Sequence, residues 1–216
     1  MAIGASEVGI SPAFLGLLEA ESLARACALD VGTGRGRLAL ALAPRCRRVV
    51  GIDVDAGAIG EARQQAGRLG LANVEFVVAD AEAFEYTAFA PDIVVAHLCM
   101  SDAIAERAAG ALGPGRAFAF VAFHADQWQE TGRRSRFAYD EGQVRRLLEG
   151  IGFGVEHLEV EREVRTFGSV EQALAAVVVF EDRWRQDGRW FGYLKYLEDG
   201  GRQLTRSHLL VKARRR

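Results

Sequence analysis

The sequence predicts a doubly wound α/β fold, and two observations carry that prediction. From residue 26 onward, short and nearly continuous apolar runs alternate with helix-patterned segments. Where the first run ends, "ALDVGTGRGRLAL" (28–40) sets Gly32, Gly34 and Gly36 at alternate positions just before a helical apolar pattern begins.

The strands come first. "ALDV" (28–31), "RVVGID" (48–53), "VEFVVAD" (74–80), "DIVVAHL" (92–98) and "AFAFVAF" (117–123) are apolar enough to be buried on both faces of a parallel sheet. Helices fill the intervals. The segment 37–43 places Leu38, Ala41 and Leu42 on a shared face. The segment 56–69 follows Asp55 as N-cap and stops at Gly70. Ser101 caps a third helix that ends before the "GPG" turn at 113–115. Strand, helix, strand in repetition gives right-handed crossovers.

The later part changes character. Residues 140–149 read as a helix, 155–164 alternate as a strand, and 204–213 form a final strand. Between those strands, 165–203 is longer than a sheet connection requires and is rich in rings: Phe167, Phe180, Trp184, Trp190, Phe191, Tyr193 and Tyr196. Ser169 and Gln172 have capping-box spacing, so an ordered helix is expected there. We read 1–216 as one domain with 165–203 as a helical, aromatic-rich lid insertion; rings at helical spacing also suit a core packed on the sheet.

Composition narrows the class. The chain has 216 residues and a net charge of −2, with 50% hydrophobic and 26% charged residues, which is ordinary for a soluble globular protein. Three cysteines without CxxC spacing argue against a disulfide framework and against a zinc site, so no metal is expected. "MAIGASEVGISPAF" lacks the basic start and apolar core of a signal peptide, and no run is long enough to span a bilayer. A cytoplasmic protein without membrane contact is expected. The basic run at 212–216 reads as a solvated tail in preference to a nucleic-acid contact.

A glycine cluster costs chain entropy and needs a geometric reason. Between a strand and a helix it lets the backbone turn tightly and lets a nucleotide-like ligand approach main-chain atoms. A dinucleotide fingerprint needs its third glycine at position 37, where Arg37 stands. The sequence has G-x-G-x-G instead. With Asp30 two residues ahead, it resembles the first motif of the class I S-adenosylmethionine-dependent methyltransferases. Asp53 closes the second strand about twenty residues on, where a carboxylate can accept from both ribose hydroxyls. Asp80 and Ala81 at the end of the third strand are similar to that family's adenine site.

The resemblance covers roughly residues 26 to 125. It implies a mostly parallel seven-stranded sheet with an antiparallel last strand and helices on both faces. It also implies S-adenosylmethionine as methyl donor and S-adenosylhomocysteine as product. The cofactor residues would be Asp30, Gly32, Gly34, Gly36, Asp53, Val54, Asp80 and Ala81. Asp30 has two roles open, binding the methionine amino group or bracing the loop, and Val54 either packs on adenine or belongs to the core.

The acceptor is expected beyond the fourth strand, near His97, Cys99 and Ser101. His97 is the candidate general base, against a structural role, and Cys99 reads as a small packed residue. Trp190 and Tyr193 are the candidate acceptor-pocket rings. The N/D-P-P-Y/F signature of amide and adenine nitrogen methylation is missing here. The expected activity is methyl transfer to a small organic acceptor. The rivals are an RNA or protein methyltransferase and a silent S-adenosylmethionine-binding protein; Arg37 makes an NAD oxidoreductase more distant. The charge balance speaks against nucleic acid as partner, with Arg133, Arg134, Arg136, Arg145 and Arg146 read as a solvated face, and a homo-oligomer is admitted.

Overall fold

The computed structural model describes residues 9–216. The start of the amino-terminal stretch read above for a targeting signal lies outside the described residues. At the centre is one sheet built from β1 (Cys27–Val31), β2 (Arg48–Asp53), β3 (Val74–Val78), β4 (Ile93–His97), β5 (Ala117–His124), β6 (Ala138–Tyr139), β7 (Phe153–Thr166) and β8 (Gln203–Arg215). Seven strands follow the order β3-β2-β1-β4-β5-β8-β7, and the two-residue β6 pairs with β5 off that path. The first five strands run parallel to one another, while β8 runs antiparallel to both β5 and β7. β6 is the addition to the expected seven.

In the inner strands the apolar runs are continuous because both faces of the sheet are covered, whereas β3, at the edge, buries Phe76 and leaves Val78 exposed, against the expectation for 74–80. Leu29, Val31, Val94, Ala96, Phe118 and Phe120 face α4 (Asp102–Ala111) and α5 (Glu141–Gly150). Their neighbours Ala28, Ile93, Val95, Ala117 and Ala119 face α1 (Pro12–Glu19), α2 (Arg37–Leu42) and α3 (Ala56–Arg68). The sequence reading missed α1, a short helix that Ser11 caps and that buries Phe14 and Leu18.

The predicted caps form. Asp55 Oδ1 accepts from the N–H groups of Gly57 and Ala58 at 2.8 and 3.0 Å, and Ser101 Oγ accepts from Ile104 at 3.4 Å. Ser169 Oγ accepts from Gln172 N–H at 3.2 Å, but Gln172 Oε1 reaches back to Gly168 N–H instead of closing the box on Ser169. These bonds satisfy donors that a helix start leaves without partners.

The connection between β7 and β8 holds α6 (Val170–Val177), α7 (Glu181–Asp187) and α8 (Arg189–Glu198), with its own apolar cluster. The basic run at the end of the sequence is not a solvated tail. It belongs to β8, where Lys212 Nζ lies 2.9 Å from Glu21 Oε1 and Arg214 pairs with both Glu21 and Glu156. Arg215 donates to the carbonyls of Ile151 and Gly152. Half-buried acids on neighbouring elements recruit the charges that the sequence alone left without partners.

Candidate functional site

The turn after β1 explains its glycines. Gly32, Gly34 and Gly36 have φ of 66°, 53° and 78°, in the left-handed region that side chains with a Cβ avoid. Two of them also have no room for a Cβ. One on Gly32 would collide with Cys99 Sγ, and one on Gly36 would meet the Phe76 ring at 2.7 Å. Side chains from neighbouring strand ends hold the turn. Asp30 Oδ2 accepts from Thr33 Oγ1 at 2.6 Å and from Ala39 N–H at 3.0 Å. Asp53 Oδ2 accepts from Gly34 N–H at 2.7 Å, and its Oδ1 accepts from Asp55 N–H at 2.9 Å.

Beside this turn, at the carboxyl ends of the parallel strands, lies a cavity of about 540 Å³. Ligands of open α/β sheets bind at that edge. Gly32, Asp53, Val54, Asp80 and Ala81 line one part of it. Val54 is 72% exposed, so its apolar surface belongs to the cavity and not to the core. Asp80 Oδ1 accepts from Glu82 N–H at 2.9 Å, which fixes the carboxylate at the turn after β3. Asp30 and Gly34 are not brought to this cavity. They line an adjoining pocket on the other side of the turn, while Gly36 meets neither space and serves the packing of α2 on Phe76.

The rest of the lining is apolar and aromatic, with Met100, Ile104, Phe123, Trp128, Phe180 and Leu204. Two lining residues hold backbone conformations that favour glycine, Leu98 at φ 62° and Trp128 at φ 57°. Such strain persists only where surrounding bonds enforce it. Here Leu98 N–H donates to Val121 O at 2.8 Å and Trp128 N–H to Thr205 O at 3.0 Å.

Two imidazoles face the cavity. Burial lowers the pKa of His97 to about 4, helped by the charge of Arg37, and lowers that of His208 to about 3, helped by Arg206. Both rings are therefore neutral acceptors near pH 7, and His97 is a weak base. The Cys99 thiol donates to Val31 O at 2.8 Å and burial pushes its pKa up to about 12, so it is a packing group. Burial likewise raises Asp30 to about 7.

The insertion reaches the cavity with different residues from those expected. Trp190 and Tyr193 do not line it. They are buried with Trp184 and Leu197 in the insertion's own core, and Tyr193 Oη donates to Gln203 O at 3.2 Å. The physical reason is the apolar stripe at 190, 193 and 197, which α8 turns inward. Ala176, Phe180 and Arg183 face the cavity in their place. Phe180 is held by Trp128 and Trp184, with ring centroids 5.2 and 5.6 Å away. Sequence reasoning also missed Leu204, Arg206 and His208. Their spacing of two along β8 was a usable signal for one face of a strand.

Comparison with known proteins places these features in context. Residues 28–115 match the sequence profile of a methyltransferase domain family. The YcgJ protein of Bacillus subtilis superposes with a TM-score of 0.73 at 18% identity, over 95% of this chain and 99% of that one. Magnesium protoporphyrin IX methyltransferase of Synechocystis PCC 6803, solved with bound S-adenosylhomocysteine, gives 0.63 at 16% identity, over 94% and 80%. At such identities the likeness shows a shared fold. A curated relative, the 23S rRNA (uracil(1939)-C(5))-methyltransferase of Stenotrophomonas maltophilia (strain R551-3), is 50% identical over 52 residues, which is 24% of this chain. The match spans 12% of that relative's length.

Proposed function

We propose that the chain, whose residues 28–115 match a methyltransferase domain family, is a class I S-adenosylmethionine-dependent methyltransferase that methylates a small organic acceptor inside the 540 Å³ cavity. One observation carries the reading: the strand-end acids and a set of rings, Phe180 of the insertion with Phe123 and Trp128, line the same cavity. A donor bound at one end would therefore meet an acceptor bound at the other.

The residues present fit the donor. Exposed Val54 offers an apolar face, Asp53 offers a carboxylate already aimed by two backbone donors, and Asp80 with Ala81 offers an acceptor next to a main-chain N–H. When bound, S-adenosylmethionine supplies an electrophilic methyl group on a sulfonium, so the protein's work is alignment and exclusion of water. Asp53 would hold the ribose diol. Asp30 would act by bracing the glycine turn through Thr33 and Ala39. Phe123, Trp128 and Phe180 would keep water from the acceptor. His97 and His208, both neutral, would accept hydrogen bonds from it, and His97 would take a proton from a sufficiently acidic acceptor. The insertion would serve as the lid through Phe180 and Arg183. Three free cysteines suit a reducing compartment, and we place the reaction in the cytoplasm.

A second reading, methylation of RNA, draws on the partial likeness to an rRNA methyltransferase. Release of S-adenosylhomocysteine from a small-molecule screen supports the first reading. Turnover on RNA alone supports the second, and cofactor binding without any acceptor supports a silent binder.

A further inference from the structure

We propose that the acceptor carries an acidic group, carboxylate or phosphate, on an apolar ring-bearing body, and that an arginine cleft beside the cavity holds that group. The inference rests on the methyl-transfer reading above and narrows its substrate class. The cleft, of about 450 Å³, is lined by Arg133, Arg134 and Arg136 from the segment after β5, and by Arg183, Asp187 and Arg189 from α7 and α8. Phe137 and Arg183 line both the cleft and the main cavity, so the two spaces adjoin.

The charges in the cleft do not balance. Five guanidinium groups face one acid, Asp187, and Arg189 pairs with that acid. Arg134 donates to Gln143 Oε1 at 2.5 Å and lies 3.9 Å from Asp140. Among the described residues Arg133, Arg136 and Arg183 form no ion pair. Arg136 instead stacks over Phe137 at 4.5 Å. Arg189 is buried, and its Nε donor has no partner. A buried donor without an acceptor is costly, and like charges gathered in one concavity repel until an anion joins them. Planar guanidinium forks match the oxygens of a carboxylate or phosphate.

The neighbouring arginines point to a compact anion and not to a polymer. Arg145 lies 4.0 Å from Glu149, and Arg206 is 3.3 Å from Glu163, so these two basic groups outside the cleft have acids of their own. Arg133, Arg136 and Arg183 thus gather three guanidinium groups in one cleft next to an aromatic cavity that suits an apolar body. A phosphate-tracking surface would spread such groups along a groove.

Calorimetry with three probes of one shape tests this: 1-naphthoate, 1-naphthyl phosphate and neutral 1-naphthamide, each titrated into the full chain with S-adenosylhomocysteine present. At least one acid should bind tenfold or more tightly than the amide, and which one does so separates carboxylate from phosphate. Arg133→Gln and Arg136→Gln should each remove most of that preference with amide and S-adenosylhomocysteine affinities unchanged, and Arg136→Lys should keep part of it. The inference is overturned when neither acid exceeds the amide, when the glutamine variants keep the preference, or when an RNA oligonucleotide outcompetes both acids through the same arginines. Failure of S-adenosylhomocysteine to bind is read separately and overturns the methyl-transfer reading itself.

Discussion

Gly34 N–H donates to Asp53 Oδ2 at 2.7 Å, tying the glycine turn after β1 to the end of β2. The other oxygen of the same carboxylate takes Asp55 N–H at 2.9 Å, just ahead of α3. One side chain thus joins the glycine turn to the start of α3 at the edge of the cavity while keeping lone pairs for a ligand.

Removing that carboxylate should have two effects. Asp53→Ala should weaken S-adenosylmethionine binding at least tenfold, since charge-assisted hydrogen bonds are worth about 1.5–3 kcal/mol each. It should also lower stability by about 1–3 kcal/mol, the cost of leaving backbone donors without partners. Asp53→Asn keeps one acceptor oxygen and should fall between. Calorimetry and urea unfolding read the two effects; unchanged affinity in a folded variant removes Asp53 from the cofactor site.

Gly32→Ala combines a left-handed φ of 66° with a collision on Cys99 Sγ. The backbone penalty alone is about 1–3 kcal/mol. Cys99→Ala in the same chain should recover only the share of the collision owed to Sγ, because Cys99 Cβ also stands 2.6 Å from the added methyl, and should leave the φ share, giving a partly non-additive cycle in urea unfolding. Additive single costs would mean that the thiol is not the obstacle.

The insertion's rings should divide into two groups. Trp190→Ala and Tyr193→Ala empty a buried core and should cost about 3–5 kcal/mol of stability. Phe180→Ala faces the cavity and should spare S-adenosylmethionine affinity while raising the acceptor KM or lowering kcat. Thermal unfolding beside turnover on an acceptor found by screening separates them. A stable Trp190→Ala with impaired turnover would restore that ring to the acceptor site.

Much of the architecture was legible because it rests on local chemistry. Glycines in left-handed turns, Asp55 and Ser101 as caps and buried parallel strands leave marks in consecutive residues. What was not legible depends on contacts distant in sequence. Whether Trp190 or Phe180 meets the cavity is decided by how α8 packs on α7, and both rings have helical spacing. The basic end of the chain read as a tail because its partner acids, Glu21 and Glu156, are far away in sequence. Trp128 carries no local signal for a φ of 57°, which bonds to β8 impose. Leu204, Arg206 and His208 had a readable cue, the alternation along their strand.

Acid should weaken the fold through the two cavity histidines. Their pKa values, about 4 and about 3 against an ordinary value near 6.5, mean that the unfolded chain binds protons first as pH falls. Stability present above pH 6.5 is therefore lost as pH drops toward those values, by about 2 kcal/mol per histidine between pH 7 and 5. Asp30 opposes this. Its raised pKa of about 7 means that the folded state holds a proton the unfolded chain has released, so stability falls as pH rises through 7. Urea midpoints should be lower at pH 5 than at pH 7 in the wild type. His208→Gln should abolish that difference and Asp30→Asn should enlarge it; equal slopes in all three proteins would contradict the assignment.

The central claim is that one cavity takes the donor at its strand-end acids and the acceptor at its rings, and a crystal structure of the protein with S-adenosylhomocysteine tests it most directly. The account predicts adenine between Val54 and the Asp80–Ala81 turn, ribose hydroxyls on Asp53, and the sulfur opening toward His97, Phe123 and Phe180. S-adenosylhomocysteine bound elsewhere, or bound there with its sulfur facing solvent and the aromatic half of the cavity filled by protein, would contradict it.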